Sequence, residues 1–346
     1  MNKEKNLDKN HPLYYSANYF FKAEEIIKKL KPDSIITLQF FQRKDNIMLS
    51  GMEEVLELLE KYTPVDKYKI SYLPDGSLIN SKEVVLELEG KYEYFGTYEG
   101  IIDGILSRSS SVSTNVHRCI LAAGKKEIVF MSDRSDHYSN QIRDGKAAIV
   151  AGIKAHPTTA TSQGHPELVF GSIPHVALQA NEGDVVKVMQ TYQELFPEEN
   201  YLVALVDFNN DVIADSLKVA KALGKNLKGV RVDTSVSVRD KMFKDNEDEW
   251  GVTPRQIKAL RQALDDADAM HVKIIVSSGF TPEKISRFEK ENTPVDAYGV
   301  GEYILDIKVH YSADAVKIDG KNFAKVGRQY NHNPKLIAFR KKNYDI

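Results

Sequence analysis

A single histidine sits in VFGSIPHVALQANEGD, residues 169–184, just after a strand-like Val169-Phe170 and a tight Gly171-Ser172. An apolar, helix-capable run follows it. At such a hand-over His175 has four roles open to it: base, metal ligand, phosphate carrier or helix cap. His137, His156 and His165 fall in the same stretch of chain. None of the four shows HxxxH or HxH spacing, so no metal site is expected from them.

Acids and glycines narrow the choice. Asp207 in LVALVDFNND and Asp233 in GVRVDTSVSVRD each close an apolar strand. Either alone is equally a cap for the next helix. As a pair on neighbouring strands they can hold ribose hydroxyls or steady a cationic transition state. Arg231 precedes Asp233 by two residues and therefore faces the same side of its strand. An acid beside a fixed cation suits a phosphorylated sugar, and it also suits a buried ion pair. VSSGFTPEKI (276–285) and YGVGEYIL (298–305) each run from strand through a glycine turn into a helix start. Ser277, Ser278 and Gly279 in the first, with Gly299 and Gly301 in the second, can expose backbone N–H groups that bind an anion without a basic side chain. Tight turns alone would read the same way. MSDRSDHYSNQIRDG (131–145) offers Arg134 and Arg143, whose forks fit carboxylates and phosphates. A solvated loop is the plainer alternative. The hydroxyls of RSSSVSTNVHR (108–118) are expected to cap a helix and face its neighbours, and the basic tail to be a solvated face.

The elements that must position these groups fall into two parts. Before about residue 118, SIITLQFFQR (34–43) and SKEVVLELEG (81–90) read as strands, and GMEEVLELLEKY (51–62) as an amphipathic helix. A helical stretch then runs to residue 124, and this part is α+β. From about residue 127, EIVFM, LVF, YLVALVD, KGVRVD, VKIIVSSG and DAYGVG are short β-rich runs. Most are separated by helices such as 211–225 and 253–269, the latter capped by Thr253 with Pro254 in its first turn. That alternation predicts a parallel sheet, either a barrel or a doubly wound layer. Polar residues gather at the carboxyl ends of its strands, where both folds bind ligands.

With 346 residues, one or two domains are expected. A net charge of −2 gives no basic field for nucleic acid, and the lone Cys119 excludes an intrachain disulfide or a cysteine-rich zinc site. The polar start MNKEKNLDKNHPLYY has no apolar leader pattern, and no run is long enough to span a bilayer. No membrane association and a cytoplasmic location are therefore expected.

Together these segments resemble the type II phosphoribosyltransferases, specifically the short form of nicotinate phosphoribosyltransferase. GSIPHVALQ and GVRVDTSVSVRD are the most specific matches, joined by KIIVSSGFTPEKI, PVDAYGVGEYI, YEGIIDGILSRSSSVSTNVHR, SANYFFKAEEII, LVDFNND and AKVGR. The resemblance implies an irregular α/β (TIM-like) barrel over residues 119–321. It is joined to a mixed α+β domain built from both chain ends, 1–118 with about 322–346. It also implies transfer of the phosphoribosyl group of 5-phosphoribosyl pyrophosphate to nicotinate, coupled to ATP hydrolysis, in NAD salvage. Related activities on nicotinamide or another base, or a silent nucleotide-binding role, remain alternatives. His175 matches the histidine that ATP phosphorylates. Arg231 and Asp233 match residues at the pyrophosphate and ribose, with Asp207 on the adjoining Leu-Val-Asp strand. Gly279 and Gly301 match positions at the 5-phosphate, with Ser277, Ser278 and Gly299 in the same turns. Arg134 falls where an arginine meets the pyridine carboxylate, and Tyr19 where an aromatic covers the pyridine from a neighbouring subunit of a homodimer or higher homo-oligomer. Thr161 and Ser162 occupy a region where relatives often carry an acid, Met131 replaces a ring-packing residue, and Ser278 replaces a glycine. Mg²⁺ would arrive on pyrophosphate oxygens rather than on protein ligands.

Overall fold

The computed structural model describes residues 8–199 and 201–341. The first seven residues of the polar start and the last five of the basic tail lie outside the described residues. Along the chain come α1 (Asn18–Leu30), β1 (Ile35–Phe41), β2 (Ile47–Met48), α2 (Met52–Tyr62), β3 (Lys69–Tyr72), β4 (Leu78–Ile79), β5 (Val84–Lys91) and α3 (Glu99–Ala123). There follow β6 (Glu127–Phe130), α4 (Gln141–Val150), α5 (His175–Gln179), α6 (Val185–Leu195), β7 (Leu202–Leu205), α7 (Val212–Leu223), β8 (Leu227–Val232) and α8 (Pro254–Asp266). The chain ends with β9 (Lys273–Val276), α9 (Pro282–Lys290), β10 (Ala297–Val300), β11 (Ser312–Ile318), β12 (Lys321–Asn322) and β13 (Ile337–Ala338).

The chain divides into two compact units, one of residues up to Thr114 with those from Ile307 onward, the other Asn115–Asp306. In the first, an antiparallel sheet runs β12-β11-β1-β5-β3-β13. Its central strand, IITLQFF, is buried at every position but the first, while β5 alternates buried and half-buried residues as its apolar–charged pattern dictates. α2 and the start of α3 pack Met52, Val55, Leu59, Ile102 and Leu106 into the same core as Leu38, Phe40 and Leu86. The hydroxyl run in α3 lies within the helix rather than at a cap. Ser110 donates to the Ser50 carbonyl and Ser113 to that of Met48, which lets short side chains draw the loop before α2 against the helix. Residues 307–321, expected in the second domain, belong to the first unit because β11 pairs along β1.

In the second unit a parallel sheet runs β6-β10-β9-β8-β7. Beyond β6, single parallel bridges Val129–Ala155 and His156–Val169 extend the pairing. The segment 168–170, read as a strand, is reduced to that one bridge, because a 3-10 turn occupies Pro166–Leu168 immediately before it. Val129, Ala155, Val203, Ile275 and Ala297 meet in one apolar cluster with Met131 and Phe170 against it, so residues from both edges of the sheet share an interior. The observed class is mixed α/β: among the described residues there are one parallel sheet, the large antiparallel sheet and a two-stranded antiparallel pair of β2 with β4. The helices start where the sequence signals them: Asp211, Thr253 and Thr281 cap α7, α8 and α9 by accepting from the third residue on, with Pro254 and Pro282 in the first turns. No described helix is long and apolar enough to cross a membrane.

Candidate active site

The parallel sheet of the second unit delivers its polar residues to the carboxyl ends of adjacent strands. Leu205 on β7 pairs with Arg231 on β8, and Arg231 with Ile275 on β9. Asp207, Asp233 and Ser277 follow on the same three strands. Asp207 is 7% exposed, and burial raises its carboxyl pKa above the ordinary carboxylate range. His175, the first residue of α5, counters that shift: its Nε2 lies 3.1 Å from Asp207 Oδ2. Nearby Asp233 acts in the same direction as burial. The other oxygen, Asp207 Oδ1, is buried without a partner.

Asp233 is held by the neighbouring strand. Ser277 Oγ donates to Asp233 Oδ1 at 2.6 Å. On β8 itself, two residues before Asp233, Arg231 buries its Nε with no hydrogen-bond acceptor. A desolvated guanidinium N–H without an acceptor costs free energy, and an incoming anion offsets that cost.

The two glycine turns sit at the ends of β9 and β10. Ser278 and Gly279 both adopt left-handed backbone, at φ 76° and 64°. Ser278 carries the strain of a side chain there, about 1 kcal/mol, where glycine would not. No described acceptor takes the backbone N–H groups of Ser278, Gly279 or Phe280, and they stand ahead of the amino terminus of α9. Gly299 is required by close approach: a Cβ there would lie 2.4 Å from Met131 Sδ and 3.0 Å from Ser277 Cβ. Met131 thus fills the space beside the turn, and Ser132 Oγ ties the same segment to the Gly301 carbonyl at 2.7 Å.

The remaining expected residues are placed differently. Arg134 is exposed on the loop after β6. Tyr19 lies in the first unit, exposed on α1 and packed at 4.3 Å against Phe20. Thr161 and Ser162 are fully buried; Thr161 exchanges hydrogen bonds with Thr158, and Ser162 donates to the Thr159 carbonyl. Gly145 of α4 presses directly on the Thr161 backbone. Their hydroxyls close a turn and do not join the cluster at the strand ends. His156 is also fully buried, beside Phe130, with its pKa lowered by burial. Among the described residues no group of three or more histidines, cysteines or acids is arranged to hold a metal ion.

Lys284 was not singled out by the sequence. In the first turn of α9 its Nζ donates to the Ser278 carbonyl at 3.2 Å and lies 4.3 Å from the Phe280 ring centroid. Its place three residues after the capping Thr281 was legible; its reach back to the glycine turn was not.

Known proteins of similar sequence and fold bear on what the chain resembles. Residues 20–110 match the family model of the quinolinate phosphoribosyl transferase N-terminal domain. Nicotinate phosphoribosyltransferase pncB1 of Mycobacterium tuberculosis is 24% identical over 239 residues, covering 67% of this chain and 48% of that protein. The chain therefore aligns with only about half the length of that curated relative. A nicotinate-nucleotide pyrophosphorylase from Pyrococcus furiosus superposes with a TM-score of 0.83 at 28% identity, over 96% of this chain and 82% of that one. Human nicotinic acid phosphoribosyltransferase shares the fold, with a TM-score of 0.67 at 16% identity over 89% of this chain and 76% of its own. The chain is thus similar, over much of its length, to proteins described as nicotinate phosphoribosyltransferases and, over residues 20–110, to the quinolinate phosphoribosyl transferase N-terminal domain.

Proposed function

We propose that the carboxyl ends of β7 to β10 bind 5-phosphoribosyl pyrophosphate, and that the protein transfers its phosphoribosyl group to nicotinate. Pyrophosphate leaves and nicotinate mononucleotide forms. The observation that carries this reading is the buried, unpartnered Nε of Arg231. It lies on the strand that leads to Asp233, beside the strand whose end carries open backbone donors. Those donors, at Ser278 and Gly279, suit the 5-phosphate with the Gly299–Gly301 turn beside them, while Arg231 suits the pyrophosphate. Asp233, fixed by Ser277, suits the ribose hydroxyls and the positive charge that grows on the anomeric carbon. Such a transition state asks little nucleophilic help of the protein; positioning and electrostatics supply most of the acceleration. Mg²⁺ on the pyrophosphate oxygens would neutralise the leaving group, with Asp233 and the free oxygen of Asp207 as the acids on hand.

ATP coupling runs through His175 in this reading. With Nε2 committed to Asp207, Nδ1 is the nitrogen left to attack the γ-phosphorus of ATP, releasing ADP. Arg134 would meet the pyridine carboxylate and Tyr19 of a second copy would cover the ring, which makes a homodimer the working assembly. The parallel sheet would then be an irregular barrel, its inward cluster continued across the 153–170 segment. Thr161 and Ser162 would support the base site from beneath without touching the substrate. Quinolinate is the second base to consider, because the family model that matches residues 20–110 carries that substrate in its description.

The test is product formation from phosphoribosyl pyrophosphate, Mg²⁺ and each of nicotinate, quinolinate and nicotinamide, with and without ATP. Nicotinate mononucleotide from nicotinate, stimulated by ATP, is expected, with Asp233→Ala slower by more than about tenfold, equivalent to about 1.4 kcal/mol of barrier. No product from any base in folded protein would refute the assignment, and turnover confined to quinolinate would move it to the second reading.

A further inference from the structure

Lys284 stands behind the turn that forms one side of the proposed phosphate cradle. Its Nζ takes the Ser278 carbonyl at 3.2 Å, and its stem lies along Phe280, with Nζ 4.3 Å from the ring centroid. The residue it holds is the strained one: Ser278 adopts φ 76° and is followed by Gly279 at 64°. A left-handed non-glycine residue persists only where its surroundings fix it, and a carbonyl claimed by an ammonium group is such a fixture. With the carbonyl taken, the backbone N–H groups of Ser278, Gly279 and Phe280 have no described acceptor within the protein. One side chain thus holds the turn and brings a positive charge behind donors that await an anion.

We propose that Lys284 is a positioning residue for phosphoryl binding: it locks the Ser278–Gly279 turn in its donor-out conformation and adds a cation behind it, without touching the substrate. This inference rests on the phosphoribosyl reading above. The charged groups around it are few. Arg287, about one turn further along α9, lowers its pKa, and Glu283 adjoins it in sequence. Burial is the larger cause, and together they bring the amine down to about 8. A lysine there is charged at neutral pH and loses that charge just above it, whereas an arginine at the same place does not. The cradle therefore acquires a pH dependence that the arginine variant would lack.

The experiment is calorimetric titration of the full chain with ribose 5-phosphate between about pH 7 and 9.5, for wild type, Lys284→Met and Lys284→Arg. The ligand phosphate is already a dianion across that range. Wild type is expected to bind and to weaken as pH rises through about 8. Lys284→Met is expected to bind about tenfold more weakly at pH 7.5, in line with the loss of a charge-assisted hydrogen bond, and to show no such step. Lys284→Arg should restore affinity and stay flat with pH. Equal binding by wild type and Lys284→Met overturns the role of Lys284 while leaving the phosphoribosyl reading intact. No binding by folded wild type overturns the phosphoribosyl reading, and Lys284 with it. If Lys284→Met does not fold, the arginine variant decides: the same step near pH 8 in both proteins overturns the proposal.

Discussion

His175 and Asp207 form the pair on which the proposed coupling depends. A histidine whose Nε2 is held at 3.1 Å by a buried acid has a fixed ring plane, with Nδ1 left outside that contact. His175→Ala is expected to abolish stimulation by ATP while some uncoupled transfer persists, because Arg231, Asp233 and the glycine turns remain. Steady-state rates with and without ATP read this directly, and unchanged stimulation would remove His175 from the reaction. At this scale the sequence was informative where backbone geometry dictated residue type. Gly279 and Gly299 were legible as glycines in tight places, and the period of two put Arg231 on the side of Asp233. It was uninformative where only burial decides. Thr161 and Ser162 look like any exposed hydroxyls in TATSQG, yet they close a buried turn. Lys284 looks like any surface lysine in TPEKI until its reach to Ser278 is known.

The first turns of α3 show a different balance at the scale of an element. Acids near a helix amino terminus are ordinarily favourable, but Glu99 and Asp103 are both largely buried, and burial raises each carboxyl to about 7. Arg43 opposes the shift at Asp103 without overcoming it, and one oxygen, Asp103 Oδ1, has no partner. The folded state keeps both protons up to about pH 7, whereas the unfolded chain releases them near the ordinary carboxylate values of about 4. Their stabilising contribution is therefore complete below the unfolded values and is lost as pH rises through about 7. Asp103→Asn is expected to stabilise the protein at pH 8 by about 1 kcal/mol or more, with the gain shrinking or reversing at pH 5. Urea midpoints at the two pH values check this, and an equal difference at both would contradict it. Strand placement in the second unit was legible because apolar runs ending in polar tips are short and sharply bounded. The chain's return to the first unit was not, since β11 joins its sheet by pairing with β1, where the flanking Ile35 and Asp319 meet across 284 residues of chain.

At the scale of the whole molecule, two sheets of opposite kind serve different ends. The antiparallel sheet builds a large apolar core, and the parallel sheet gathers charge at one end of its strands. The net charge of −2 supplies no overall field for anions, so the proposed anion binding would rest on local groups. The mixed α/β class and the parallel sheet were accessible from alternation. What lies beyond β6 was less so, because the segment between β6 and α5 pairs through isolated bridges and carries no strand pattern of its own. The most direct measurement is a crystal structure of the protein with 5-phosphoribosyl pyrophosphate and Mg²⁺. Phosphoryl density at Ser278–Gly279 and Gly299–Gly301, with pyrophosphate at Arg231 and ribose hydroxyls at Asp233, is the expected result. Ligand density away from the ends of β7 to β10, or none at saturating concentration, would contradict it.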